Sequence, residues 1–182
     1  DIRALKTAMP LLKTVIVVGQ PLGLPWEQPW ASLLGSGSTP PAEVEQGDPA
    51  LIMYTSGTTG DPKGILLNYR HLDGSPEAMK HFVDLNARDV KLCALPLSHI
   101  GGFIYIQNCI LFGITLVLMD RFHPLEFLKN VVQYKVTCFH IVPPMYTALL
   151  TLKHLDQFDL RSLRWVVVFG APSSPEILER FH

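Results

Sequence analysis

Tyr54-Thr55-Ser56-Gly57-Thr58-Thr59-Gly60-Asp61-Pro62-Lys63-Gly64 decides how the rest of the chain is read. These eleven residues hold three glycines, four serine or threonine hydroxyls and one lysine. An apolar run, Ala50-Leu51-Ile52-Met53-Tyr54, precedes them and reads as a buried strand. Glycine reaches positive φ and lets backbone amides converge, and such a run of amides forms a concave nest for an anion. Hydroxyls add donors and Lys63 adds a full positive charge. Holding a polyphosphate is the chemistry that most needs this combination.

The loop is not a Walker A sequence, because Lys63 follows Gly60 by three residues and no hydroxyl follows it. It resembles the phosphate loop of the adenylate-forming (AMP-binding) enzymes: acyl-CoA synthetases, luciferases and the adenylation domains of peptide synthetases. Two further stretches carry the same resemblance, in order. Leu95-Pro96-Leu97-Ser98-His99-Ile100-Gly101-Gly102 is similar to that family's Pro-Leu-x-His-x-x-Gly segment. Val168-Phe169-Gly170-Ala171-Pro172-Ser173-Ser174-Pro175-Glu176 is similar to its Gly-Gly-Ala-Pro segment, with Phe169 in place of the first glycine.

The resemblance implies roles residue by residue. Thr55, Ser56, Gly57, Thr58, Thr59 and Gly60 would hold the β- and γ-phosphates of ATP, and Lys63 would steady them. The hydroxyl of Thr59 or Thr55 would lie near Mg²⁺. His99 would line and gate the acyl pocket beside the bound carboxylate, with Gly102 leaving room for an acyl chain and Ile100, Phe103 and Ile104 suiting its tail. Backbone at Gly170, Ala171 and Pro172 would lie against adenine. The implied reaction is formation of an acyl-adenylate from a carboxylic acid and ATP, then transfer to the thiol of coenzyme A. Bringing two anions together makes positioning and positive charge the main demands.

Outward from the loop, strands and helices alternate and the strands are apolar. This predicts an α/β fold with a mostly parallel sheet and flanking helices, part of the large N-terminal domain of an acyl-CoA synthetase-like protein. Val15-Ile16-Val17-Val18 reads as a strand buried on both faces, ending an entry segment over residues 1–19. Residues 20–49, with six prolines and Gly35-Ser36-Gly37-Ser38, read as a surface connector pinned by Trp26, Trp30 and Leu33-Leu34. Residues 50–182 read as the alternating core. Asn68 is a candidate helix cap, and Gly74-Ser75-Pro76 is expected to break or restart the helix after it.

Ile100 to Met119 contains no charge over twenty residues, the length of a membrane span. Gly101, Gly102, Gln107, Asn108 and Gly113 interrupt it, so a helix to Phe112, a stop at Gly113 and a strand Ile114–Met119 are the better division. Further on, Leu125, Leu128, Val131 and Val132 form the expected apolar stripe of one helix, and Ser173 with Glu176 the expected capping box of another.

Apolar residues make up 48% of the 182-residue chain, charged residues 17%, and the net charge is −1. That leaves no bulk electrostatic case for nucleic acid or an anionic membrane. Cys93, Cys109 and Cys138 are widely spaced, form no Cys-x-x-Cys pair and read as buried reduced thiols in a cytoplasmic protein. The six histidines other than His99 show no metal spacing, and Asp61 reads as a turn residue.

The resemblance also implies what should follow Glu176: a Tyr-Gly-x-Thr-Glu segment, a ribose-binding aspartate, a hinge, and a small C-terminal domain bearing the adenylation lysine. None lies within these residues, so the chain is expected to be a middle portion with little or no adenylation activity alone. From Ser98 onward no acidic residue appears until Asp120, and an unpaired buried substrate ammonium would be unfavourable. A fatty or aryl acid is therefore preferred as substrate. An amino-acid adenylation domain and a non-catalytic nucleotide-binding module remain the alternatives.

Overall fold

The computed structural model describes residues 8–9, 11–35, 40–55 and 60–181. Two compact units are present, Asp1–Glu43 and Val44–His182. In the first, β1 (Val15–Val17) pairs in parallel with β2 (Glu27–Pro29), and a 3-10 turn follows at Trp30–Leu33. Val15 N–H donates to the Trp26 carbonyl at 2.9 Å. Burial of β1 on both faces is corrected: Ile16 and Val18 are exposed, since three residues against one short partner cover little. The proline-rich stretch does contain regular structure, and Trp30, Leu33 and Leu34 face solvent rather than pinning it.

The second unit opens with an antiparallel hairpin, β3 (Pro49–Thr55) and β4 (Lys63–Asn68). Here the expectation of a buried strand is corrected. Leu51 and Met53 are half-buried while Ile52 and Tyr54 are 57% and 72% exposed, the alternation of a ribbon that covers one face. Asn68 caps α1 (Tyr69–Val83) as expected: its Oδ1 accepts from His71 N–H at 3.1 Å, and His71 Nδ1 accepts from Asn68 N–H at 3.2 Å. The predicted break at Pro76 does not occur. Proline removes the bond to the Leu72 carbonyl, but Gln107 Nε2 donates to that carbonyl at 2.7 Å.

The remaining strands and α-helices are β5 (Val90–Cys93), α2 (Ile100–Phe112), β6 (Thr115–Leu118), α3 (Pro124–Gln133), β7 (Cys138–Ile141), α4 (Pro143–Leu150), β8 (Trp165–Val168) and α5 (Pro175–Phe181), with a 3-10 turn at Leu155–Gln157. Gly113 ends α2 at φ 65°, where glycine is favoured, so the uncharged run is a helix and a strand. No helix among the described residues is long and apolar enough to cross a membrane. The four strands β6-β5-β7-β8 form one wholly parallel sheet, with Lys91, Cys138 and Trp165 in one transverse row.

Successive strand residues point to opposite faces. Leu92, Phe139 and Ile141 join Phe127, Leu128 and Val131 of α3 and Met145, Tyr146 and Leu149 of α4 in the main core. On the other face Cys138 packs with Leu85 and Ile114, and Tyr105 of α2 lies over His140. Phe127 replaces Leu125 and Val132 on the buried stripe of α3, because the helix is rotated to bury 127, 128 and 131. In α5 the cap is Ser174, not Ser173: Ile177 N–H donates to Ser174 Oγ at 3.3 Å. At the amino ends of the strands, buried Asp89 accepts from Thr137 Oγ1 at 2.6 Å, Arg164 Nη1 at 2.7 Å and Asn86 N–H at 3.0 Å. Asp89 thereby ties β5, β7 and β8 together.

Candidate functional site

In strand order β6-β5-β7-β8 the chain leaves β5 in one direction and β7 in the other. The carboxyl ends of β5 and β7 therefore flank a topological switch point, where open parallel sheets hold ligands. A crevice of about 370 Å³ lies there. Its walls come from the loop after β5 (Leu95, Pro96, His99), the passage from β7 into the start of α4 (Val142, Pro143, Pro144) and the loop after β8 (Phe169, Gly170, Ala171). Two of the three stretches singled out in the sequence thus meet across one sheet end.

The first wall is built by a tight turn. His99 N–H donates to the Pro96 carbonyl at 3.1 Å, and the His99 carbonyl accepts from Gly102 and Phe103 N–H, each at 2.9 Å. His99 is itself the cap of α2: its Nδ1 accepts from Gly101 N–H at 3.2 Å. A neutral imidazole with Nδ1 accepting carries its proton on Nε2. The exposed ring therefore offers an N–H donor at Nε2 for a carboxylate or phosphate oxygen.

Gly102 packs against the turn that precedes α2. A Cβ there would lie 2.2 Å from the Pro96 carbonyl oxygen and 2.8 Å from Leu97 Cα, so that side holds backbone, not room for a ligand. Ile100, Gly102 and Phe103 do not line the crevice; of the expected acyl-pocket residues, His99 does. Phe169 is the wall residue that composition did not single out as part of a pocket. Its departure from the resembling glycine was the available signal. Opposite, Gly170 takes φ +91°, a conformation open to glycine, and turns the chain sharply out of β8.

The hairpin contributes no described residue to this lining. Thr55 closes β3 in register with Lys63 at the start of β4, and Thr55 Oγ1 points to the Lys63 carbonyl at 3.5 Å. Lys63 is exposed, and Gly60 has φ +104°. Ser56, Gly57, Thr58 and Thr59 lie outside the described residues, as do Ser36, Gly37, Ser38 and His182. Among the described residues no group of three or more His, Cys, Asp or Glu side chains could hold a metal ion. A larger apolar hollow of about 900 Å³ lies beneath α5, lined by residues such as Leu149, Leu155, Val166 and Phe181; of the three stretches it includes Val168 and none of the residues assigned a site role.

Behind the crevice, between α2 and the sheet, the packing is dense and polar. Tyr105 Oη accepts from His140 N–H at 2.6 Å and donates to the His140 carbonyl at 3.2 Å. Burial, with a smaller contribution from the Lys91 charge, pushes His140 down to about 3, so its ring is neutral. Lys91 is fully buried, its Nζ 4.6 Å from the Tyr105 ring centre and 5.5 Å from that of Trp165. Burial lowers Lys91 to about 8 and raises the Cys138 thiol to about 11. All three cysteines are free thiols.

A family model described as AMP-binding enzyme matches residues 2–182. The chain belongs to that family. Among similar proteins, 4-coumarate–CoA ligase-like 9 of Arabidopsis thaliana is 41% identical over 158 residues, covering 84% of this chain and 28% of that protein. A 4-coumarate–CoA ligase 2 of Nicotiana tabacum is 34% identical over 146 residues, covering 76% and 26%. The N-terminal domain of FACL13 from Mycobacterium tuberculosis superposes with a TM-score of 0.71 at 25% identity, over 78% of this chain and 36% of that one. The o-succinylbenzoate CoA synthetase of Bacillus subtilis, solved with ATP and magnesium, gives 0.67 at 29% identity, over 80% and 31%. The fold is thus that of adenylate-forming enzyme N-terminal domains. This AMP-binding chain spans roughly a quarter of the length of the curated relatives it matches, 28% of the first.

Proposed function

We propose that the full-length protein carrying this AMP-binding chain activates a carboxylic acid with ATP to an acyl-adenylate and passes the acyl group to coenzyme A. The observation that carries this reading is the meeting of the His99 and Gly170 stretches across one crevice at the switch point. Relatives named as CoA ligases support the same reaction class.

In this reading the backbone of Gly170-Ala171-Pro172 lies along adenine, and His99 Nε2–H faces the carboxylate as it meets the α-phosphate. Attack by a carboxylate oxygen forms a C–O–P linkage and breaks the α–β phosphoanhydride, releasing pyrophosphate. Thiol attack on the carbonyl then expels AMP. Thr55, Ser56, Gly57, Thr58, Thr59, Gly60 and Lys63 are assigned to the β- and γ-phosphates. Lys63 being exposed beside Thr55 is compatible with that role. The described residues offer no carboxylate cluster for Mg²⁺, so the fit rests on the Thr59 hydroxyl and the phosphates themselves. Bound there, the ion would neutralise charge on the leaving pyrophosphate.

Among the described residues no carboxylate lines the crevice to pair with a substrate ammonium, which favours a fatty or aryl acid over an amino acid. The 182 residues alone are expected to show little or no turnover. Pyrophosphate exchange, run on the full-length protein and on this chain with fatty, aryl and amino acids, tests both statements. Exchange with amino acids alone would reject the substrate class, and robust exchange by the short chain would reject its dependence on further segments.

A further inference from the structure

Phe169 leaves β8 on the face of the sheet covered by α2, and its ring bridges the two. Its Cζ lies 3.0 Å from where a Cβ on Gly101 would stand, so the ring rests directly on the first turn of α2. Its other side meets the His140 ring edge-on, with centroids 5.8 Å apart at 78°. Immediately behind, Tyr105 Oη is bonded to both backbone groups of His140, closing the space between α2 and the sheet. The crevice therefore ends at the Phe169 ring.

We propose that Phe169 sets the length of acid this site accepts, so that compact carboxylic acids are activated in preference to long-chain ones. The proposal rests on the acid-activation reading above. At about 370 Å³ the crevice lies near the lower end of the 300–1,000 Å³ typical of small-molecule sites. On that reading it also receives part of the nucleotide along Gly170 and Ala171, which leaves less room for the acid. The space nearest the crevice that a longer tail could take is the one the Phe169 ring fills, between Gly101 of α2 and the His140 ring. Gly101 is what admits the ring: a methyl there would collide with it and with nothing else as closely. Since one methylene in an apolar pocket changes discrimination by about 10-fold or more, removing a whole ring has a large lever on chain length.

The experiment is steady-state pyrophosphate release by the full-length protein, wild type and with Phe169→Gly or Phe169→Leu, using butanoate, octanoate, palmitate, benzoate and cinnamate. The expected result is that wild type favours butanoate, benzoate or cinnamate. In Phe169→Gly the octanoate-to-butanoate ratio of kcat/KM rises at least about 10-fold, and in Phe169→Leu it rises less. If Phe169→Gly does not fold, the smaller shift in Phe169→Leu decides. An unchanged ratio in variants that still activate acids, or wild-type preference for palmitate, overturns the proposal and leaves acid activation standing. Absence of turnover with every acid in the wild type overturns the activation reading itself and the proposal with it.

Discussion

The Leu72 carbonyl, deprived of its helical partner by Pro76, accepts instead from Gln107 Nε2 of α2 at 2.7 Å. A proline inside a helix ordinarily destabilises it by about 3 kcal/mol or more. Here the orphaned acceptor is satisfied from the neighbouring helix, and Pro76 itself is buried. The same bond ties α1 to the helix that carries His99 at its start. Gln107→Leu is expected to reduce stability by about 1–2 kcal/mol, the scale of leaving one largely buried acceptor unmade. Denaturant unfolding of wild type and variant measures it, and a Gln107→Glu comparison shows whether the donor is what matters.

Lys91 makes stability depend on alkaline pH. Its folded value of about 8 is below the unfolded 10.5, so the unfolded chain binds more protons between those limits. Stability should therefore rise as pH increases from about 8 towards 10.5, and be insensitive to Lys91 well below 8. Lys91→Met removes a buried ammonium with no hydrogen-bond partner among the described residues and should stabilise the fold near neutral pH by about 1–3 kcal/mol. Unfolding midpoints across this range, with the rise absent in Lys91→Met, are the check.

Asp89 gives the opposite dependence at the acid end. Burial raises its pKa, but the hydrogen bonds from Thr137, Asn86 and Arg164 outweigh that and leave it lowered. A lowered carboxylate contributes stability that is present above the unfolded value and lost as pH falls through the folded one. Asp89→Asn should cost about 2–4 kcal/mol at neutral pH, because Arg164 loses its buried partner. It should also weaken the acid dependence below about pH 4. Acid titrations followed by near-ultraviolet circular dichroism would show both effects.

Gly102→Ala should be among the most disruptive methyl additions in the chain. The obstacle at 2.2 Å is the Pro96 carbonyl, backbone that cannot rotate away. A loss of about 2–4 kcal/mol is expected, with displacement of His99. By contrast Gly74→Ala meets nothing within 4 Å in the middle of α1 and should be neutral or stabilising, by up to about 1 kcal/mol. Parallel thermal melts of the two variants test the contrast.

Several local features were legible before any coordinates. Gly113 as a helix stop, Asn68 as a cap and the parallel strands each follow from one residue type or one apolar period. Loops that leave the carboxyl ends of parallel strands can converge on one crevice; the His99 and Gly170 loops do so, while the phosphate loop contributes no described residue to it. What failed were inferences about which side of an element is covered. Ile52 and Tyr54 are apolar yet exposed, since strand pairing gives a hairpin, while the stripe of α3 falls on Phe127 because its neighbours decide the rotation. Ser174 caps α5 where a one-residue shift would have used Ser173.

By itself the sequence determined the family and the fold class, through the order and composition of three glycine-bearing loops and the alternation of apolar strands with helices. Such signals are local and survive without knowledge of neighbours. Only the tertiary structure decided that Pro76 is tolerated, that the Pro96 carbonyl stands where a Gly102 side chain would, and that the Phe169 ring rests against Gly101. Each of those depends on atoms contributed by a distant element, and periodicity along one chain carries no information about what will stand opposite.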